Sequence, residues 1–122
     1  MRRRTERIRW RDGHGTLVVA GREQPLEIAA SYRARTRGLL GRDGVAGALL
    51  LTPAASVHTL RMRFAIDVAY LTRDLTVLSV RTMRPWRLGL PRLRARHVLE
   101  AEAGAMAAWG LGAGLRVTVS AA

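Results

Sequence analysis

The apolar residues of this chain come in short runs that alternate with polar positions, and Gly, Pro, Asp and Arg separate the runs at close intervals. "RIRW", "TLVVA", "PLEIA", "GALLL", "IDVAYLT", "TVLSVRTM", "HVLEAEA" and "LRVTVS" read as strands, in which a period of two sends alternate side chains to opposite sides. Extended, "IDVAYLT" puts Ile66, Val68 and Tyr70 on one side, and "TVLSVRTM" does the same for Leu78 and Val80. "RDGHG" predicts a hairpin with Asp12-Gly13 at its tip, and "RDL" predicts a second between "IDVAYLT" and "TVLSVRTM". "SYRARTRGLLG" predicts a helix capped by Ser31, with Tyr32, Thr36, Leu39 and Leu40 as its stripe and Gly38 or Gly41 as its stop. "GAMAAWG" adds a helical turn or two, and "GLGAG" lacks both the spacing and the following helix of a nucleotide loop. Seven or eight short strands without long crossover helices predict a mainly β fold, a compact antiparallel β-barrel or jelly-roll-like sandwich with one or two short helices.

At 122 residues the chain has the length of a single domain, residues 1–122, and its 48% hydrophobic content argues against general disorder. It has no cysteine, which excludes disulfides, thiolate catalysis and sulfur-ligated zinc. The longest apolar run, residues 45–51, is far short of the roughly 20 residues a membrane-spanning helix needs, so no membrane partner is expected. The basic start "MRRRTERIRWRDG" lacks the apolar segment of a secretory signal, which makes a cytoplasmic protein the expectation. The formal charge is +12, and all 21 basic residues are arginine, as a GC-rich genome favours. Weak, sequence-independent electrostatic binding to nucleic acid is expected from such a surface.

Charge inside an apolar run singles out "SVHTLRMRFAIDVAYL", residues 56–71. If Ser56 to Met62 is extended, His58, Leu60 and Met62 face one way and Thr59, Arg61 and Arg63 the other. Asp67 lies out of phase with Ile66 and Val68, and burying it requires an arginine (Arg63 or Arg61) or backbone donors. One reading has Asp67 and an arginine bracing a loop while His58 hydrogen-bonds within the barrel wall. The other places His58, Thr59, Arg63, Asp67 and Glu100 at a barrel mouth, where they suit a small polar or anionic ligand. His14, His58 and His97 share no short spacing. Two of them with Asp67 or Glu100 form an oxygen/nitrogen metal site only if folding assembles it, so no metal or cofactor is expected. Acid/base chemistry through Asp67 and Glu100 lacks a fixed separation, and Ser31, Ser56, Ser79 and Ser120 lack a nucleophile turn; a non-catalytic binding or accessory module is the expectation. Trp86, among six arginines from Arg81 to Arg96, either stacks on a base or packs on the barrel. The arginines of residues 1–11 read as a basic arm.

"ASYRARTRGLLGR", "HTLRMRFAIDVAYL", "RPWR", "HVLEAEAG" and "GLGAG" before the last strand, in that order and spacing, resemble the domain-of-unknown-function 192 family of bacteria and archaea over a core of about 26–119. The resemblance implies a compact, mainly β fold of the barrel or jelly-roll kind and implies no activity. Leu60, Arg61, Ala65 and Leu115 depart from the residues usual at those places in the family.

Overall fold

The computed structural model describes residues 9–121. Its first hairpin joins β1 (Gly13–Val19) to β2 (Arg22–Ala29), and the pairing of Val19 with Arg22 leaves Ala20 and Gly21 as the turn. Both have positive φ, 49° and 80°, the signature of a two-residue turn whose twist matches the strands it joins. The hairpin expected at Asp12-Gly13 is therefore displaced. Asp12 instead accepts hydrogen bonds from the backbone N–H groups of Ala30 (2.6 Å) and Ser31 (2.8 Å), tethering the entry to the first helix.

That helix, α1 (Tyr32–Arg37), is capped as expected, with Ser31 Oγ accepting from Ala34 N–H at 3.1 Å. It ends at Gly38 (φ 47°), before Leu39 and Leu40, and buries none of its own residues. The expected stripe is thus no helix face: Tyr32 and Thr36 are exposed, and Leu39 enters the core from the turn after the helix.

The remaining elements are β3 (Ala48–Leu51), β4 (Ile66–Leu71), β5 (Val77–Met83), β6 (His97–Glu102), α2 (Ala105–Trp109) and β7 (Thr118–Ala121). Together the strands make one seven-stranded sheet in the order β5-β4-β6-β3-β2-β1-β7. The mainly β reading with two short helices holds, with one correction to the pairing. β2 and β3 run parallel, because α1 and the following turn carry the chain back to the end where β2 began. The crossover closes tightly at Gly47 (φ 68°), where a Cβ would collide with the Pro25 carbonyl oxygen. The sheet is not closed into a barrel. Its ends approach through the Thr76–Arg116 bridge and hydrogen bonds from Val77 N–H to Leu115 O (2.8 Å) and from Val117 N–H to Leu75 O (3.0 Å).

Alternation divides the buried side chains between two cores. One holds Leu17, Leu26, Ile28, Leu50, Leu71, Leu99 and Met106; the other holds Leu39, Leu49, Met62, Ile66, Val68, Tyr70 and Val98. β4 is buried along its whole length because both faces are covered. A bulge at Tyr70/Leu71 shifts the β4–β5 register, so Leu78 packs on the second core and Val80 on the first. The expectation that those two share a side fails for that reason.

Candidate functional site

Register places Glu27, Leu49, Glu100 and Val68 in line across β2, β3, β6 and β4. Leu49 and Val68 belong to the second core, so the row lies on that core's side of the sheet. At its outer end Arg42 donates two hydrogen bonds to Glu27, from Nη1 to Oε1 at 2.9 Å and from Nη2 to Oε2 at 2.8 Å. The ionised pair holds Glu27 below the usual carboxylate range.

Glu100 is in the opposite situation. It is only 4% exposed, and among the described residues no hydrogen bond reaches its carboxyl group. Burial pushes its pKa up from 4.5 to about 7, and the opposing charge of Arg42, already committed to Glu27, is too weak to reverse this. The carboxyl lies beneath Gly38, close enough that a Cβ there would sit 4.0 Å from Oε1.

Above it is a cavity of about 90 Å³ bounded by Arg35, Leu39, Val57, His58, Met62 and Glu100. Arg35 donates from Nη1 to the Pro53 carbonyl at 3.2 Å, while its Nε is buried without a partner. His58 is exposed at the rim, and its Nδ1 accepts from Leu60 N–H at 3.3 Å. The Glu100 carboxyl, with its raised pKa, and the Arg35 guanidinium thus line one small cavity, which offers both an anionic or protonated oxygen and a cationic donor. A wider, open depression of about 260 Å³ lies around Arg42 and Glu27, on the other side of Gly38.

Of the five residues expected at a barrel mouth, only His58 and Glu100 meet here. Asp67 pairs with Ala101 of β6, one position from Glu100, and so points to the opposite face of the sheet. Its carboxylate accepts from Thr82 Oγ1 (2.7 Å), Gly104 N–H (2.9 Å) and Met106 N–H (3.1 Å), fixing α2 through backbone donors where an arginine was one expectation. Arg63 turns outward to Asp43 at 3.0 Å, and both are exposed. Thr59 is fully buried and structural: its hydroxyl donates to Arg84 O (2.5 Å) and accepts from Arg87 N–H (2.8 Å).

The expected extended run from Ser56 to Met62 breaks at Thr59. Met62 N–H bonds Thr59 O at 3.1 Å and Arg61 takes φ 64°, so His58, Leu60 and Met62 do not form one stripe. Sequence reasoning missed Glu27, Arg35 and Arg42. One usable signal was present: "PLEIA" and "VLEA" each set a lone glutamate at the centre of an apolar strand.

The histidines are dispersed. His14 lies on β1, exposed, where a turn was expected. His97 is buried with its ring edge-to-face against Trp10 at 5.2 Å. The Arg73 carbonyl can only accept, so His97 Nε2 carries the proton (3.4 Å) and Nδ1 accepts from the Thr52 hydroxyl (2.7 Å). Burial holds its pKa below 6.5. No three His, Asp or Glu side chains gather as metal donors among the described residues. Trp86 is 60% exposed, so the reading that packs it on the barrel is corrected. Of the basic arm, residues 1–8 lie outside the described residues.

Fold and site together define a mainly β protein with one mixed sheet and a small cavity, lined by apolar side chains with Arg35, His58 and Glu100, beside a short crossover helix. Residues 16–119 match the DUF192 family, described as "Uncharacterized ACR", and the chain belongs to that family. It is 32% identical over 87 residues to the UPF0127 protein PH1112 of Pyrococcus horikoshii, covering 67% of this chain and 76% of the relative. It is 31% identical over 107 residues to the UPF0127 protein PF1050 of Pyrococcus furiosus, covering 82% and 92%. Among solved structures, a protein of unknown function from Novosphingobium aromaticivorans superposes with TM-score 0.72 at 19% identity, covering 86% of this chain and 83% of that one. A Sinorhizobium meliloti protein superposes with TM-score 0.66 at 18% identity, covering 93% and 98%. These two likenesses concern the fold.

Proposed function

We propose that this chain is a non-catalytic binding module whose cavity beside α1 takes a small polar ligand, anchored by Glu100 and Arg35 with His58 at the rim. The carrying observation is the Glu100 carboxyl, 4% exposed, unpartnered among the described residues and facing a cavity. A buried carboxyl without donors costs several kcal/mol when ionised, so the free protein is destabilised at the point where a ligand with complementary groups would be held. The ligand class that fits carries a hydrogen-bonding group for the carboxyl and an acceptor for the Arg35 guanidinium. A cytoplasmic setting belongs to the same proposal.

The test is a thermal-shift screen of small carboxylic acids, amides and amino acids, repeated on Glu100→Gln and Arg35→Met. A compound that raises the melting temperature of the natural chain and of neither variant supports the reading. A screen whose hits stabilise all three chains equally refutes it. The same carboxyl supports a second reading, acid/base catalysis, because its pKa of about 7 matches the working pH of such a group. Turnover of a screened compound that disappears in Glu100→Gln would replace the first reading with the second.

A further inference from the structure

Residues 84–96, between β5 and β6, are strapped to residues 54–59 by backbone hydrogen bonds. These run from Trp86 N–H to Thr59 O (2.7 Å), Thr59 N–H to Arg87 O (2.8 Å), Gly89 N–H to Val57 O (2.8 Å), Arg92 N–H to Ala55 O (2.9 Å) and Ala54 N–H to Arg96 O (2.8 Å). The segment is thus an ordered part of the surface. At Gly89 it presses on the body: a Cβ there would come within 2.8 Å of Tyr70 Oη and 2.9 Å of Val57 O.

Its side chains are arranged against ordinary burial. Leu88, Leu90 and Leu93 are 75%, 77% and 104% exposed, and Trp86 stands out beside them. Scattered exposed leucines need no explanation, but three leucines and a tryptophan on one fixed strap do. Arg84, Arg87, Arg94 and Arg96 are exposed between them, and no acidic residue occurs from residue 75 to residue 99.

A partner must therefore accept aliphatic side chains and supply negative charge along the same segment. A second copy of this chain would set arginines against arginines. A nucleic acid would satisfy the arginines and stack on Trp86, but would leave the leucines facing water. A bilayer with anionic headgroups meets both demands: leucines enter the acyl boundary, arginines reach phosphates on flexible stems, and tryptophan sits at the interface. No helix of the described residues is long and apolar enough to cross a membrane, and a surface contact needs none.

We propose that the 84–96 strap docks the protein onto anionic lipid surfaces, inserting Leu88, Leu90 and Leu93 while the flanking arginines hold headgroup phosphates. The proposal is independent of the Glu100 cavity. The experiment is co-sedimentation of the full chain with vesicles of phosphatidylglycerol and phosphatidylcholine, against phosphatidylcholine alone, at about 150 mM salt, where exposed charges are screened beyond roughly 8 Å.

Binding to the anionic vesicles is expected, weakened about tenfold or more by Leu90→Ser with Leu93→Ser at unchanged melting temperature. Bromine-labelled acyl chains should quench fluorescence of the natural chain and not of Trp86→Phe, a readout that stands even if the double variant folds poorly. Absence of binding to anionic vesicles overturns the proposal. So does binding that the leucine changes leave intact, which would be charge alone. Oligonucleotide binding that Trp86→Ala weakens tenfold, without vesicle binding, would assign the strap to nucleic acid.

Discussion

Replacing Glu100 by glutamine tests the central claim about the cavity, that the carboxyl is held without donors. In the folded chain its pKa is about 7, against an ordinary value of 4.5. Between those pH values the folded protein keeps a proton that the unfolded chain has lost. The contribution of Glu100 to stability is therefore fully present below about pH 4.5 and declines as pH rises through about 7. At roughly 1.36 kcal/mol per tenfold difference in proton affinity, the total loss is about 3 kcal/mol. Glutamine has similar size and no titration, so the stability of the natural chain minus that of Glu100→Gln should fall by about 3 kcal/mol between pH 4.5 and 7 and then stay level.

The difference matters because the natural profile mixes opposing trends. His97, held below 6.5 by burial, adds stability as pH rises toward 6.5, and Asp12, Glu27 and Asp74, all depressed, add theirs at lower pH. These groups are common to both chains and cancel in the subtraction. Urea unfolding at steps from pH 4 to pH 8.5, extrapolated linearly to water, supplies the two curves. A flat difference would refute the argument. A rising one would show that the fold stabilises the ionised carboxylate, with Arg42 dominating over burial.

Other residues give distinct expectations. Asp67→Ala strands the N–H groups of Gly104 and Met106 and should cost about 3 kcal/mol or more, while Asp67→Asn retains an acceptor and should cost about 1–2 kcal/mol; urea unfolding separates them. Arg42→Ala breaks a pair whose side chains are each 33% exposed, so solvent screening limits the loss to about 1 kcal/mol or less. The same change removes the charge opposing burial and should move the Glu100 titration upward, as carbon-detected NMR of its carboxyl would show. Gly47→Ala forces a Cβ onto the Pro25 carbonyl and a left-handed backbone onto alanine; a melting-temperature drop of several degrees or failure to fold is expected, and an unchanged melting temperature would contradict the parallel β2–β3 closure.

What the sequence disclosed was local. Short apolar or alternating runs between turn residues located the β3 to β6 strands, and the Ser31 cap marked the start of α1 because the cap bonds only three residues away. Where the deciding partner is distant, the reading failed. Asp12-Gly13 has the composition of a hairpin tip, but the partners of Asp12 are Ala30 and Ser31, and the true turn at Ala20-Gly21 carries a weaker signal. The parallel pairing of β2 with β3 depends on how α1 returns the chain, and the bulge at Tyr70/Leu71 depends on cross-strand contacts. For the site, His58 and Glu100 were legible as polar residues in apolar surroundings. Their separation from Asp67 was not, because it rests on the register that sets Asp67 opposite Ala101 and Val68 opposite Glu100.

That register also supplies an internal control. Asp67 and Glu100 lie on adjacent central strands, and they are 3% and 4% exposed. The first receives donors from Thr82, Gly104 and Met106, so its burial is accounted for by α2, which it anchors. For the second, no donor reaches the carboxyl among the described residues, and a cavity adjoins it. The fold that gives one buried carboxyl three donors leaves the neighbouring one without a protein donor among the described residues, at a position where glutamine or methionine would fill the space without the penalty of desolvating a charge. Places where a sequence breaks a local rule without a compensating contact are where function is sought first. By that criterion the face carrying Asp67 is architecture, and the proposed binding site belongs to the face carrying Glu100.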